Sequence, residues 1–299
     1  MTTAHIDINN FALWTALITP FHPDGSVDYE SLQKVVKQQE SAGNAILICG
    51  STGEGLAIEQ NEQYEIVKFV CNMQPSVPLM VAIAGSNLPA QKAWIEQCNE
   101  LPIHAYLAVC PIYAKPGVIG QTQWFETLLD ASQHPVMIYN VPSRCGTGIP
   151  VETVRNIGNH KNLWAMKEAS GDINEFLKYA EAAPKMRIYS GEDPLMPYLA
   201  SAGAVGLVSV CANVWPKATN LYVEKSLTVR SFELFSVWYT ATNALFEAAN
   251  PIPVKVLMHQ QGMIASPTLR APLTHLELTS KTGINAADEA ISEWYQQKS

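Results

Sequence analysis

Leu163-Trp164-Ala165-Met166-Lys167-Glu168-Ala169-Ser170-Gly171-Asp172 reads as a short apolar strand, a lysine at its C-terminal tip, and a polar turn. Burial at such a tip disfavours the ammonium form and pushes a lysine toward the neutral amine, which attacks carbonyl carbon to form a Schiff base. The same lysine could instead pair with Glu168 or Asp172 at the surface, and the run alone does not choose between the two.

Outward from it, seven more runs rich in Val, Ile and Leu are predicted as strands, giving the set 13–19, 45–49, 79–84, 105–110, 136–140, 163–167, 187–190 and 205–210. Apolar side chains on both faces suit parallel strands covered on both sides. Amphipathic segments at 29–42, 61–73, 90–100, 120–133, 150–159, 173–183 and 193–202 separate them, and Asp28 is a predicted helix cap. Eight strands alternating with helices predict a (β/α)8 TIM barrel of the α/β class. An open doubly wound sheet is the rival, but Thr19-Pro20-Phe21-His22-Pro23 follows the first strand where a Gly-rich dinucleotide turn would stand. After about residue 215 the pattern turns all-helical, over 217–247, 254–263 and 286–297, broken by Asn250-Pro251-Ile252-Pro253. Residues 1–225 are therefore expected to form the barrel carrying the site, and 226–299 a small C-terminal helical subdomain.

Composition narrows the function classes. Apolar residues make up 47% of 299 and charged residues 15%, which describes a well-buried globular chain. A formal net charge of −8, with cations scattered singly, argues against a nucleic-acid surface. The six cysteines, at 49, 71, 98, 110, 145 and 211, form no C-x-x-C pair and read as core thiols in a reducing compartment. The seven histidines are widely spaced, so no local metal site is expected. Met1 to Asp7 shows no basic leader and no run approaches membrane-spanning length, so a cytoplasmic location with no membrane partner is expected.

Barrel enzymes carry their chemistry at the C-terminal ends of the strands. Gly50-Ser51-Thr52-Gly53-Glu54-Gly55 ends the second, with backbone N–H groups and two hydroxyls able to hold a carboxylate; no Gly-Lys-Ser/Thr follows, which excludes a P-loop. Cys110-Pro111-Ile112-Tyr113 ends the fourth, and Tyr139-Asn140-Val141-Pro142-Ser143-Arg144 the fifth. A strand-tip tyrosine can move protons, and an arginine can clamp a carboxylate through two hydrogen bonds. The seventh ends in Ser190-Gly191-Glu192-Asp193, and the eighth contains Val208. Lysine, hydroxyls, tyrosines and arginine together fit Schiff-base chemistry on a keto acid, without a redox cofactor or metal.

These motifs, with Asn250-Pro251-Ile252-Pro253-Val254-Lys255, resemble the dihydrodipicolinate synthase family over nearly the whole chain, within the superfamily that also contains N-acetylneuraminate lyase. The resemblance implies that Lys167 forms a Schiff base with pyruvate and that Tyr139, Ser51 and Tyr113 form a proton relay. In it Tyr113 crosses to a neighbouring subunit of a homotetramer or dimer. Thr52 and the backbone near Val208 would hold the pyruvate carboxylate, with Gly191 near the imine and Arg144 on the carboxylate of aspartate semialdehyde. The implied product is 4-hydroxy-tetrahydrodipicolinate, in lysine and diaminopimelate biosynthesis. Ser51 departs from the threonine usual in these synthases and is shared with sialic acid lyases, which lack Val-Pro-Ser-Arg after the catalytic tyrosine. A sialic acid or sugar keto-acid lyase, and an inactive keto-acid-binding barrel, are the alternatives. Ile112 in place of an aromatic residue, with Gly55, Leu56, Gln60 and Gln63 after the loop, implies weak or absent inhibition by lysine.

Overall fold

The computed structural model describes residues 6–229 and 232–299. Eight parallel strands close into a barrel in chain order: β1 Leu13–Ala16, β2 Ala45–Ile48, β3 Leu79–Ile83, β4 Ala105–Val109, β5 Val136–Asn140, β6 Leu163–Glu168, β7 Arg187–Ser190 and β8 Gly206–Ser209. The expected TIM barrel is what forms. The seam between β8 and β1 pairs Leu13 with Leu207 and Thr15 with Ser209. Asn213 bolts that seam: its Nδ2 donates to Ala16 O at 2.8 Å, and its Oδ1 accepts from Ile18 N at 3.0 Å.

Several strands end sooner than expected, at Ala16 rather than 19 and at Ile48 rather than 49. The chain leaves the ladder there to build the loops at the mouth. Cys49 takes a left-handed φ of 56°, and the Thr19 hydroxyl donates to Gly53 O at 2.7 Å.

Around the barrel run α1 Tyr29–Ser41, α2 Gln60–Asn72, α3 Leu88–Cys98, α4 Val118–Ala131, the single turn α5 Pro142–Cys145, α6 Val151–Ile157, α7 Ile173–Ala182 and α8 Met196–Ser201. Asp28 caps α1 as expected, accepting from Ser31 N. The C-terminal part is helical: α9 Pro216–Thr228, α10 Phe232–Ala244, α11 Ile252–Gln260 and α12 Thr282–Lys298. The helix expected over 217–247 is thus two helices; its residues 230 and 231 lie outside the described residues, as do residues 1–5 of the Met1–Asp7 stretch expected to hold no leader. Trp238 joins this part together, stacked on Tyr222 at 4.2 Å and edge-on to Trp294 at 5.4 Å and Trp215 at 6.1 Å. Such aromatic packing contributes about 0.5–1.5 kcal/mol per pair beyond simple burial. Among the described residues no helix is long and apolar enough to cross a membrane.

Candidate active site

At the C-terminal mouth a cavity of about 320 Å³ opens among Ala16, Leu47, Ala82, Leu107, Tyr139 and Lys167, residues of β1 to β6. The two alanines leave space that branched side chains would fill. Ser51, Arg144 and Cys145 border the same cavity.

Lys167 sits beside Tyr139 in register across β6 and β5, with its Nζ 4.3 Å from the tyrosine ring centroid. It is 5% exposed and, among the described residues, has no carboxylate within 4 Å. Neither expected surface partner takes it. Glu168 accepts from Asn140 Nδ2 and Ser170 N, each at 2.9 Å, and Asp172 caps α7 through Asn174 N at 2.8 Å. Burial holds the Lys167 ammonium down to about 8, against the opposing charges of Asp193 and Glu192. At pH 7 roughly one lysine in ten is then the free amine, against one in a few thousand for an ordinary lysine.

The Tyr139 hydroxyl is pushed well above its usual range by burial, with the Arg144 charge opposing, so it stays protonated and able to donate. Arg144 rides on α5, and its Nη2 donates to Asn250 O at 3.5 Å. Gly191 packs against the lysine stem: a Cβ there would lie 2.6 Å from Ala169 Cβ and 2.9 Å from Lys167 Cε.

The loop after β2 is held from below. Asn250 Nδ2 donates to Thr52 Oγ1 at 2.9 Å, so that oxygen keeps its own proton to donate elsewhere. Glu54, at a left-handed φ of 58°, forms a buried ion pair with Lys255 and accepts from Arg270 N at 2.8 Å. Gly55 must be glycine, since a Cβ would fall 2.0 Å from Cys49 O.

The predicted residues do not all meet. Lys167, Tyr139, Arg144 and Ser51 share the cavity; Thr52 is buried within the loop after β2, Gly191 backs the lysine, and Val208 is buried in β8 opposite Trp14. Tyr113 stands apart, 90% exposed on a backbone with φ of 68°. Sequence reasoning gave no role to Glu192, Asp193 or Asn250. Burial, reinforced by the Asp193 charge, raises the Glu192 carboxyl to about 7, with Lys167 opposing. Asp193 is buried and accepts from Ser209 Oγ and Val210 N. An acidic pair directly after a barrel strand was the available signal.

Residues 10–291 match the model of the dihydrodipicolinate synthetase family. The chain belongs to that family. It is 47% identical over 291 residues to the 4-hydroxy-tetrahydrodipicolinate synthase of Francisella tularensis subsp. novicida, covering 97% of this chain and 98% of the relative. Among solved structures of the family, it is similar to the dihydrodipicolinate synthase of Acinetobacter baumannii complexed with pyruvate, at 28% identity and a TM-score of 0.88, covering 94% of this chain and 99% of that one. It is likewise similar to the enzyme of Cyanidioschyzon merolae with lysine bound, at 27% identity and a TM-score of 0.89, covering 96% and 99%.

Proposed function

We propose that the protein condenses pyruvate with L-aspartate 4-semialdehyde to give 4-hydroxy-tetrahydrodipicolinate, with Lys167 as the covalent centre. The observation that carries this is a buried lysine with no ion-pair partner among the described residues and its ammonium held at about 8, facing a cavity shared with Tyr139 and Arg144. The neutral amine adds to the pyruvate carbonyl, and loss of water gives the iminium. Tyr139 moves protons during that step, relayed through Ser51 and Tyr113. Loss of a methyl proton makes the enamine, whose carbon attacks the semialdehyde aldehyde while Arg144 holds its carboxylate. The semialdehyde amine then closes on the imine carbon and releases Lys167, so that one water leaves per product.

Thr52 donates to the pyruvate carboxylate with the backbone near Val208, and Gly191 gives the imine room. No metal or further cofactor enters this scheme. Exposure of Tyr113 supports a homo-oligomer, tetramer or dimer, in which it enters a neighbour's site. Residues 1–225 carry the chemistry and 226–299 buttress it. A cytoplasmic setting fits six free cysteines.

Borohydride reduction in the presence of pyruvate should leave an adduct on Lys167 by mass spectrometry; an unmodified Lys167 defeats the proposal. Turnover with pyruvate and the semialdehyde, set against cleavage of N-acetylneuraminate, then separates this reaction from the lyase. Pyruvate binding without an adduct would indicate a mere keto-acid binder.

A further inference from the structure

Two of the six cysteines meet at the edge of the cavity. Cys110 follows β4 and Cys145 ends α5, and both are buried, at 0% and 2% exposure. The Cys110 thiol donates to Thr147 O at 3.6 Å, two residues past Cys145, which sets it beside the Cys145 turn. The backbones are tied as well, since Tyr113 N donates to Cys145 O at 3.3 Å. The pair therefore joins the segment bearing Tyr113 to the turn bearing Arg144. Cys145 also borders the cavity, which gives a small solute a path to its sulfur.

We propose that Cys110 and Cys145 form an oxidisable dithiol that hydrogen peroxide converts to a disulfide, drawing Arg144 out of position and switching off use of the second substrate. The Cys145 sulfur attacks a peroxide oxygen, the O–O bond breaks and one water leaves, giving a sulfenic acid. The Cys110 sulfur then attacks that sulfur, the S–S bond forms and a second water leaves. Each thiol loses one hydrogen, the pair loses two electrons, and the peroxide is reduced to two waters.

The division of labour follows from the surroundings. Cys145 is held below the usual thiol range chiefly by the hydrogen bond from Cys110, with the Arg144 charge adding to it against burial. Burial pushes the other four the opposite way, Cys49 and Cys71 up to about 12 and Cys98 and Cys211 likewise upward. Cys49 also lines the cavity, but as a protonated thiol it is a poor nucleophile. A disulfide holds its two sulfurs at about 2 Å, so the short α5 turn bearing Arg144 is drawn toward Cys110 while the Tyr113 segment stays in place. Lys167 lies on β6, outside both segments, and should still capture pyruvate.

The loss of turnover rests on the function proposed above, whereas the cross-link does not. The wild-type protein, treated with hydrogen peroxide and then alkylated, is examined by peptide mapping. The expected product is a Cys110–Cys145 disulfide with the other four cysteines alkylated. Turnover of pyruvate with the semialdehyde should fall about tenfold or more, as a displaced clamp implies, and dithiothreitol should restore it. Borohydride trapping of pyruvate on Lys167 should persist in the oxidised protein. The Cys110→Ala variant, compared with its own untreated sample, should form no cross-link and suffer no dithiothreitol-reversible loss. Cys145 oxidised while Cys110 stays free, a bridge to another cysteine, or no oxidation at either overturns the dithiol. A cross-link that leaves turnover intact, or that abolishes pyruvate trapping too, overturns its stated consequence. If the untreated protein turns over nothing, the fault lies with the proposed function, and the map still decides the dithiol.

Discussion

Replacing Lys167 by methionine should make the protein more stable while abolishing pyruvate capture. In the native chain the ammonium is held at about 8 instead of its ordinary 10.5. Between those values the unfolded chain binds a proton at this position that the native chain does not, so wild-type stability climbs with pH through that window. The cost of the lysine is complete below pH 8 and disappears above 10.5. Integrated over the shift, it comes to ~3 kcal/mol at pH 7 and ~1.4 kcal/mol at pH 9.5. With 5% exposure there is little solvent screening to discount. The Tyr139 ring beneath the ammonium offsets up to ~1 kcal/mol of it. Methionine matches the stem in length and packs well on an aromatic ring, so no cavity opens.

Urea unfolding followed by tryptophan fluorescence, for wild type and Lys167→Met at pH 7 and at 9.5, reads the difference directly. The variant should be more stable by about 2–3 kcal/mol at pH 7, and by less than half of that at pH 9.5. Lys255 also titrates near 8 but is present in both proteins, so it cancels. A variant no more stable than wild type at pH 7, or a gain that does not shrink with pH, refutes the claim that burial sets the amine. Confirmation would mean that the nucleophile is kept at the expense of stability.

Three further outcomes can be checked. Gly191→Ala should abolish borohydride-trappable imine while the fold survives by circular dichroism, because the new methyl group collides with Ala169 and the lysine stem. Glu54→Gln should destabilise by about 3–5 kcal/mol in urea by leaving Lys255 buried and unpaired, and Glu54→Gln with Lys255→Met should recover much of it. Lysine should not half-inhibit turnover at sub-millimolar concentration. The cavity of about 300 Å³ beyond the Gly50–Gly55 loop carries the neutral amides of Gln60, Gln63 and Gln91 beside a single acidic residue, Glu59, and the Gln63 amide is already committed to Gly55 O and Ile58 O. Half-inhibition in that range would remove the argument from these neutral amides.

The barrel was legible because each strand is a local apolar run, and parallel pairing in chain order needs no long-range information. The cavity was legible for a related reason: the C-terminal end of a strand marks the mouth wherever the strand falls, so Lys167, Tyr139 and Ser51 could be placed there from position. What escaped has no local period. Four residues of α5 cannot display a helical repeat, although that turn carries Arg144 and Cys145. The hydrogen bond from Asn250 to Thr52 spans 198 residues and the Lys255–Glu54 pair 201, and no spacing rule forecasts either.

Lys255 shows how far the lysine signal itself reaches. It sits inside the apolar run Ile252-Pro253-Val254-Lys255-Val256-Leu257-Met258 of α11, it is fully buried, and burial brings its ammonium down to about 8. By burial and by basicity the two lysines are alike. Lys255 has Glu54 against its ammonium, a hydrogen bond to Thr268 O at 3.0 Å, and Phe21 under it at 4.2 Å. Its donors are spent on protein, and it lies outside the lining of the cavity at the mouth. Lys167 has the cavity and, among the described residues, no ion pair. A lowered lysine is therefore a nucleophile only where its lone pair can meet a carbonyl, and it is the open cavity before Lys167, more than its basicity, that supports the proposed chemistry.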